Sequence, residues 1–348
     1  MRRALVPVAT LVLVVGRAGP AAAHGVGGFS SSNLRSELKS VQPPIPGLEV
    51  RVIESGSRLE VENRTGEDAV VIGYENEPYL RVGPDGVFEN RRSPATYLNS
   101  DRRGRTTVPA TADPKAAPEW RKIASQPVAR WHDHRVHWMG DQNPPAVRRA
   151  PGETHVIIPN WVVPIRHGST TIEARGDLRW IPGSSPVPWL VIAGLLLAAT
   201  VAAFRRRPSG PAIAVAAGLL LTLDVVHALG TSFAVTAPAS DQLARALTSS
   251  VISPVAWILG GVGVWMLLTS RPGLPLVAGA AAIVALSGGL ADLADLSRSQ
   301  IPFAWSAPAA RLLVATSLGA GLGLAVACLL AAANPGTCAG QKTGLSSP

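Results

Sequence analysis

Val187-Pro188-Trp189-Leu190-Val191-Ile192-Ala193-Gly194-Leu195-Leu196-Leu197-Ala198-Ala199-Thr200-Val201-Ala202-Ala203-Phe204, followed at once by Arg205-Arg206-Arg207, divides this chain in two. Eighteen uncharged residues at 1.5 Å each reach about 27 Å as a helix, close to the thickness of a bilayer's hydrocarbon core. Positive charge collects on the cytoplasmic side of such spans, so the arginine cluster sets the preceding residues outside. Downstream, further apolar runs at 211–232, 249–269, 274–294 and 309–332 predict a bundle of about five transmembrane helices over 187–333. Arg271, after the third run, also falls on the inner side, which makes 334–348 a cytoplasmic tail.

Upstream of the first span the grammar changes. Arg2 and Arg3, the apolar run 5–15 and Ala21-Ala22-Ala23 read as a signal peptide over 1–23, leaving 24–186 as an exported domain. That domain holds 21 Lys and Arg against 19 Asp and Glu, a net of +2, so most of the overall +9 lies elsewhere. Nucleic-acid binding is therefore excluded as a reading of the charge. Both cysteines, Cys328 and Cys338, fall in or after the last span, so the exported domain has no disulfide and no thiolate ligand.

Short runs with β-branched residues and partial alternation occur at 48–53, 58–63, 68–74, 79–82, 128–134, 155–163, 169–175 and 177–181, several bounded by Ser-Gly-Ser or Thr-Gly-Glu turns. Seven or eight such strands predict an all-β, antiparallel sandwich of cupredoxin or immunoglobulin type. The stretch 84–120 reads as irregular, its start marked by the turn Gly83-Pro84-Asp85-Gly86. Glu75, Glu77, Tyr79 and Tyr97 read as polar surface.

Trp131-His132-Asp133-His134-Arg135-Val136-His137-Trp138-Met139 holds three of the seven histidines. Imidazole is the commonest protein ligand for zinc and copper, so this is a candidate metal site. On a strand, His132 and His134 share one face while Asp133 and Arg135 take the other, free to pair. His137 is out of phase, either a fourth ligand brought round by a bend or a rim residue. Cleavage after Ala23 makes His24 an N-terminal residue offering imidazole and α-amine together. Candidate ligands are thus His24, His132, His134 and His137, with Met139 either a soft ligand or core filler. No thiolate is present, so copper(II) is the expected metal and zinc the alternative.

An N-terminal His followed about a hundred residues later by Trp131-His132-Asp133-His134 resembles the copper-binding subunit of particulate methane and ammonia monooxygenases. More loosely, it is similar to CopC-type periplasmic copper-binding proteins. The first resemblance implies a cupredoxin-like exported domain on membrane helices, with copper at His24, His132 and His134. It covers one motif and the domain order; His137, Trp138 and the membrane half depart from it, so monooxygenase activity is not carried over.

Ionisable residues inside apolar spans are costly and point to function. Asp224 and His227 lie three apart in the second run, and Asp292 and Asp295 at the end of the fourth, so each pair shares a helix face. They form either a polar site able to accept a metal ion or proton, or an interhelical network with Arg311 as a partner. Together these features predict an extracytoplasmic, membrane-anchored protein that captures, delivers or takes up copper. Its partners would be the metal ion, the lipid bilayer and other envelope copper-handling proteins. The alternatives are a metal-free structural or interaction module, and a copper-dependent oxidase, for which no substrate cleft or electron donor can be read.

Overall fold

A computed structural model describes residues 30–101, 104–206, 209–248 and 252–333. The segment 1–23 expected as a signal peptide, His24, and 334–348, expected as a cytoplasmic tail, lie outside the described residues. The chain divides into a β unit, Ser32–Gly183, and a helical unit from Ser184 onward, within a few residues of the boundary read from the sequence.

The β unit contains β1 (Leu34–Gln42), β2 (Leu48–Ile53), β3 (Arg58–Asn63), β4 (Ala69–Ile72), β5 (Pro78–Gly83), β6 (Gly86–Asn90), β7 (Trp120–Ala124), β8 (Val128–Trp131), β9 (His155–His167) and β10 (Thr170–Trp180). Two short helices, α1 (Pro94–Leu98) and α2 (Pro145–Arg149), interrupt the strands. One sheet has the order β1-β10-β9-β4-β5-β6-β7 and the other β2-β3-β8, with every pairing antiparallel. Leu59 and Val61 of the small sheet and Val71, Val82, Val163, Ile165 and Ile172 of the large one are fully buried in a single core. Each such side chain contributes about 1.5–3 kcal/mol relative to exposure. On the small sheet's polar face, Glu60 bridges neighbouring strands, accepting from Arg51 Nε at 2.8 Å and Arg130 Nε at 2.6 Å.

Three strands went unread in the sequence. β1 is an edge strand whose polar residues break alternation, β6 lies in the stretch read as irregular, and β7 begins at its last residue. The Gly83-Pro84-Asp85-Gly86 turn does join β5 to β6. Gly86 has φ +111°, and a Cβ there would lie 2.2 Å from the Ala124 carbonyl oxygen, so β7 closes over a position only glycine can hold. Two surface assignments are corrected: Tyr79 packs in the core, and Glu77, 2% exposed, accepts from Ser93 Oγ at 2.5 Å and the Glu75 amide at 2.8 Å.

The helical unit comprises α3 (Val187–Arg206), α4 (Gly210–Phe233), α5 (Ala239–Thr248), α6 (Ser253–Leu268), α7 (Leu274–Val284) and α8 (Ala307–Ala333). Among the described residues three helices are long and apolar enough to cross a membrane: Val187–Phe204, Gly210–Phe233 and Ala307–Ala333. A fourth span results if α5 and α6 form one bent pair. The run expected at 274–294 does not stay a regular helix: α7 passes into a π-helical turn, Ala285–Leu290, and then a 3₁₀ turn, Leu293–Leu296. Leu195, Leu219 and Ile258 are each more than 60% exposed. An outward apolar surface of this kind is compatible with hydrocarbon, consistent with a membrane protein.

Within this unit α8 packs against α3, α4 and α7. Its glycines explain the closeness. Gly319 and Gly323 face α3, where added Cβ atoms would lie 2.2 Å from the Ala193 carbonyl oxygen and 3.0 Å from that of Leu197; Gly321, about 200° round the helix from Gly319, faces Ala281 and Ala285. The pair four apart is the small-residue spacing that lets membrane helices approach backbone to backbone.

Candidate functional site

The histidine segment does not continue β8. The strand ends at Trp131, and Asp133 explains why. Its carboxylate, fully buried, accepts from the indole Nε1 of Trp131 at 2.9 Å, from the Arg135 amide at 3.1 Å, and from Arg135 Nε and Nη2 at 2.8 and 2.7 Å. An aspartate bonding to the amide two residues on starts a turn in place of a strand, and Val136 N–H then closes it on the Asp133 carbonyl at 3.1 Å. The pairing of Asp133 with Arg135 expected from the sequence is present. Burial opposes its charge, but the Arg135 bonds and guanidinium, with the Trp131 bond, hold the carboxyl below the usual carboxylate range.

The turn corrects the expected face-sharing of His132 and His134. His132 Nδ1 donates to the Ser57 carbonyl at 2.7 Å, at the β2–β3 end. His134 instead donates through Nε2 to the Asp101 carbonyl at 3.0 Å and stacks on Tyr74 at 5.9 Å between centroids. Its backbone amide donates to the Tyr74 hydroxyl at 2.9 Å. That hydroxyl also bonds to Asn99, and burial with the nearby Asp133 charge pushes its proton affinity up.

What the turn does bring together is His134 and the buried His137, with ring centroids 5.3 Å apart and planes at 75°. A carbonyl can only accept, so His137 Nδ1, 3.4 Å from the Trp138 carbonyl, carries the proton in that bond, as His134 Nε2 does in its bond to the Asp101 carbonyl. Gly104, at φ +63°, presents its open side here: a Cβ on it would lie 2.8 Å from His134 Cε1, 3.2 Å from His134 Nδ1 and 3.2 Å from Met139 Cε. His134 thus has the His137 ring on one side and Met139 near Gly104 on another, an arrangement that depends on the turn. Among the described residues no three His, Cys, Asp or Glu are disposed to hold a metal ion.

In the helical unit, Asp224 and His227 share one face of α4, as their spacing predicts, and both are 2% exposed. Trp257 Nε1 of α6 donates to Asp224 Oδ2 at 2.7 Å. His227 Nε2 lies 3.6 Å from Asp292 Oδ2. Arg311 donates to the Asp295 backbone carbonyl at 3.3 Å and to that of Arg298 at 2.9 Å. The regular helix expected to carry Asp292 and Asp295 is replaced here by a π turn and the 3₁₀ turn after it. Trp257, Ser317 and Gly288, which also line this cluster, were not singled out in the sequence, where they sit in apolar runs with no pattern to mark them.

Compared with known proteins, the chain matches no family model, no curated protein and no solved structure.

Proposed function

We propose that this is a membrane protein whose β unit binds copper, as Cu(I), through His134, His137 and Met139, for capture, delivery or uptake of the metal. The observation that carries this reading is that His134 meets the His137 ring at 5.3 Å and the end of the Met139 side chain beside Gly104. Each histidine has one ring nitrogen bonded to a backbone carbonyl, the arrangement that fixes tautomer and orientation in metal-ligating histidines. A thioether among the donors favours Cu(I) over zinc. His132, tied to the Ser57 carbonyl, is left out of the donor set, and the copper set of His24, His132 and His134 implied by the resemblance loses its shared face. Five passes with the β unit outside and the C-terminus inside remain the reading that the arginine clusters support.

The test is a Cu(I) competition titration of the full chain in lipid nanodiscs. One tight site is expected, weakened at least about 100-fold by His134→Ala or by His137→Ala, the scale on which loss of even a supporting group weakens metal sites. His132→Ala should bind as the unaltered chain does. Equal binding by a folded His134→Ala, His137→Ala double variant sinks the reading. A second reading is then the better one: the carbonyl bonds made by all three histidines serve a structural turn in an interaction module, and no metal is involved.

A further inference from the structure

We propose that Asp224, His227 and Asp292 form a reversible proton-binding site inside the helical unit, independent of the copper reading. Four elements build it. α4 supplies Asp224 and His227, one turn apart; α6 supplies Trp257, whose indole holds one oxygen of Asp224. The segment following α7 supplies Asp292 and, in its π turn, Gly288; α8 supplies Ser317, 1% exposed. A Cβ on Gly288 would lie 2.9 Å from Asp224 Oδ1, 3.3 Å from Ser317 Oγ and 3.4 Å from His227 Nδ1. Three polar atoms from two helices thus converge on a backbone position with no side chain. Single-turn π segments recur at functional sites because they re-aim a helix at a local cost.

The imidazole is bracketed. Its Nδ1 shares the space over Gly288 with Asp224, and its Nε2 faces Asp292 at 3.6 Å. Phe303 packs near its ring, at 6.1 Å between centroids, and seals that side with apolar surface. Charge decides what such a group must bind. Two ionised carboxylates with a neutral imidazole carry a charge of −2, and even with an imidazolium the net is −1. Burying unbalanced charge away from water is costly even after relaxation. The facing elements offer little relief: α6 and α7 contain no charged residue, and Arg311 of α8 is turned to the carbonyls of Asp295 and Arg298. Asp295, the remaining acid on that side, adds negative charge.

A proton suits this group, since among the described residues its three acids and bases are not disposed as metal ligands. A proton requires no volume. As pH falls it enters from solvent and forms one O–H or N–H bond within the group; as pH rises that bond breaks and the proton returns to water.

The experiment measures proton uptake by the full chain in lipid nanodiscs between acid and mildly alkaline pH. The unaltered chain should take up about one proton more than an Asp224→Asn, Asp292→Asn variant, which keeps shape and removes the charges. Infrared pH-difference spectra should show a protonated-carboxyl band that the variant lacks. Where that variant fails to fold, Trp257→Phe serves, since it removes only the indole donor; it should move the uptake midpoint by at least about half a pH unit. Equal uptake curves for folded forms overturn the proposal, as does an unmoved midpoint in the tryptophan variant. Uptake that falls when sodium replaces choline also overturns it, because the site would then be a cation site.

Discussion

Asp133→Asn should cost the β unit about 3–5 kcal/mol, the loss expected when one partner of a buried ion pair is removed. The carboxylate is the hub of the turn after β8, joined at once to the Trp131 indole, the Arg135 amide and the Arg135 guanidinium. Arg135 cannot simply turn to water. Only a fifth of its side chain is exposed, its Nη2 also donates to the Ile72 carbonyl at 3.1 Å, and its guanidinium lies over the Tyr74 ring at 5.0 Å. Because the folded state holds Asp133 below the usual carboxylate range, its contribution is present at neutral pH. It is lost as pH falls through the lowered folded-state value. Denaturant unfolding at several pH values should therefore show a steep acid limb in the unaltered chain and a flatter one in the variant. Hydrogen exchange at β8 amides should report the same loss locally. A change under about 1 kcal/mol with an unaltered acid limb would refute the assignment. Under the proposed copper reading the same substitution should also weaken Cu(I) binding, since the turn brings His134 to His137.

That turn also marks where sequence patterning stops being informative. Leu48 and Val50 alternate with exposed Glu49 and Arg51, so β2 is legible from period alone, and the turn between β5 and β6 announces itself through proline and glycine. His132-Asp133-His134 has the same alternation of residue types, yet here the side chain of Asp133 out-competes the strand's hydrogen bonds. The turn puts the His132 and His134 rings on different carbonyls, those of Ser57 and Asp101, and brings the rings of His134 and His137 to 5.3 Å. β6 and β7 were hidden for another reason. Each is five residues long, and they pair with each other across a connection of nearly thirty residues.

In the helical unit, spacing sufficed for Asp224 and His227 because α4 is regular through both. Spacing failed for Asp292, since a π turn inserts an irregular advance that no 3.6-residue template anticipates. Asp292 Oδ2 lies 3.6 Å from His227 Nε2, and three residues further on the Asp295 backbone carbonyl accepts from Arg311. Membrane-span counting suffered from the same irregularity, because a run judged by composition alone conceals the break at 285–296.

Gly319→Leu should destabilise the helical unit by the upper end of the about 1–3 kcal/mol that overpacking costs. The contact leaves no side chain to yield: a Cβ at 319 would meet the carbonyl oxygen, carbonyl carbon and Cα of Ala193 at 2.2, 2.8 and 2.8 Å. A rotamer change cannot relieve backbone contact, so α3 and α8 must separate, and Gly323, which faces the same helix four residues on, separates with it. Gly194→Leu is the matched control. It sits beside Ala193 on α3, yet a Cβ there meets nothing within 4 Å, so its stability should stay within about 0.5 kcal/mol of the unaltered chain. Unfolding in mixed micelles would separate the two, and equal stability of the variants would refute backbone contact between α3 and α8. The consequence extends to the buried acids. Ser317 and Gly321 are four apart on the face of α8 turned away from α3, so a leucine at 319 wedges α8 towards the π turn. A lowered proton uptake in Gly319→Leu, with Gly194→Leu unchanged, would show that this helix contact holds Ser317 in register with Asp224 and Gly288.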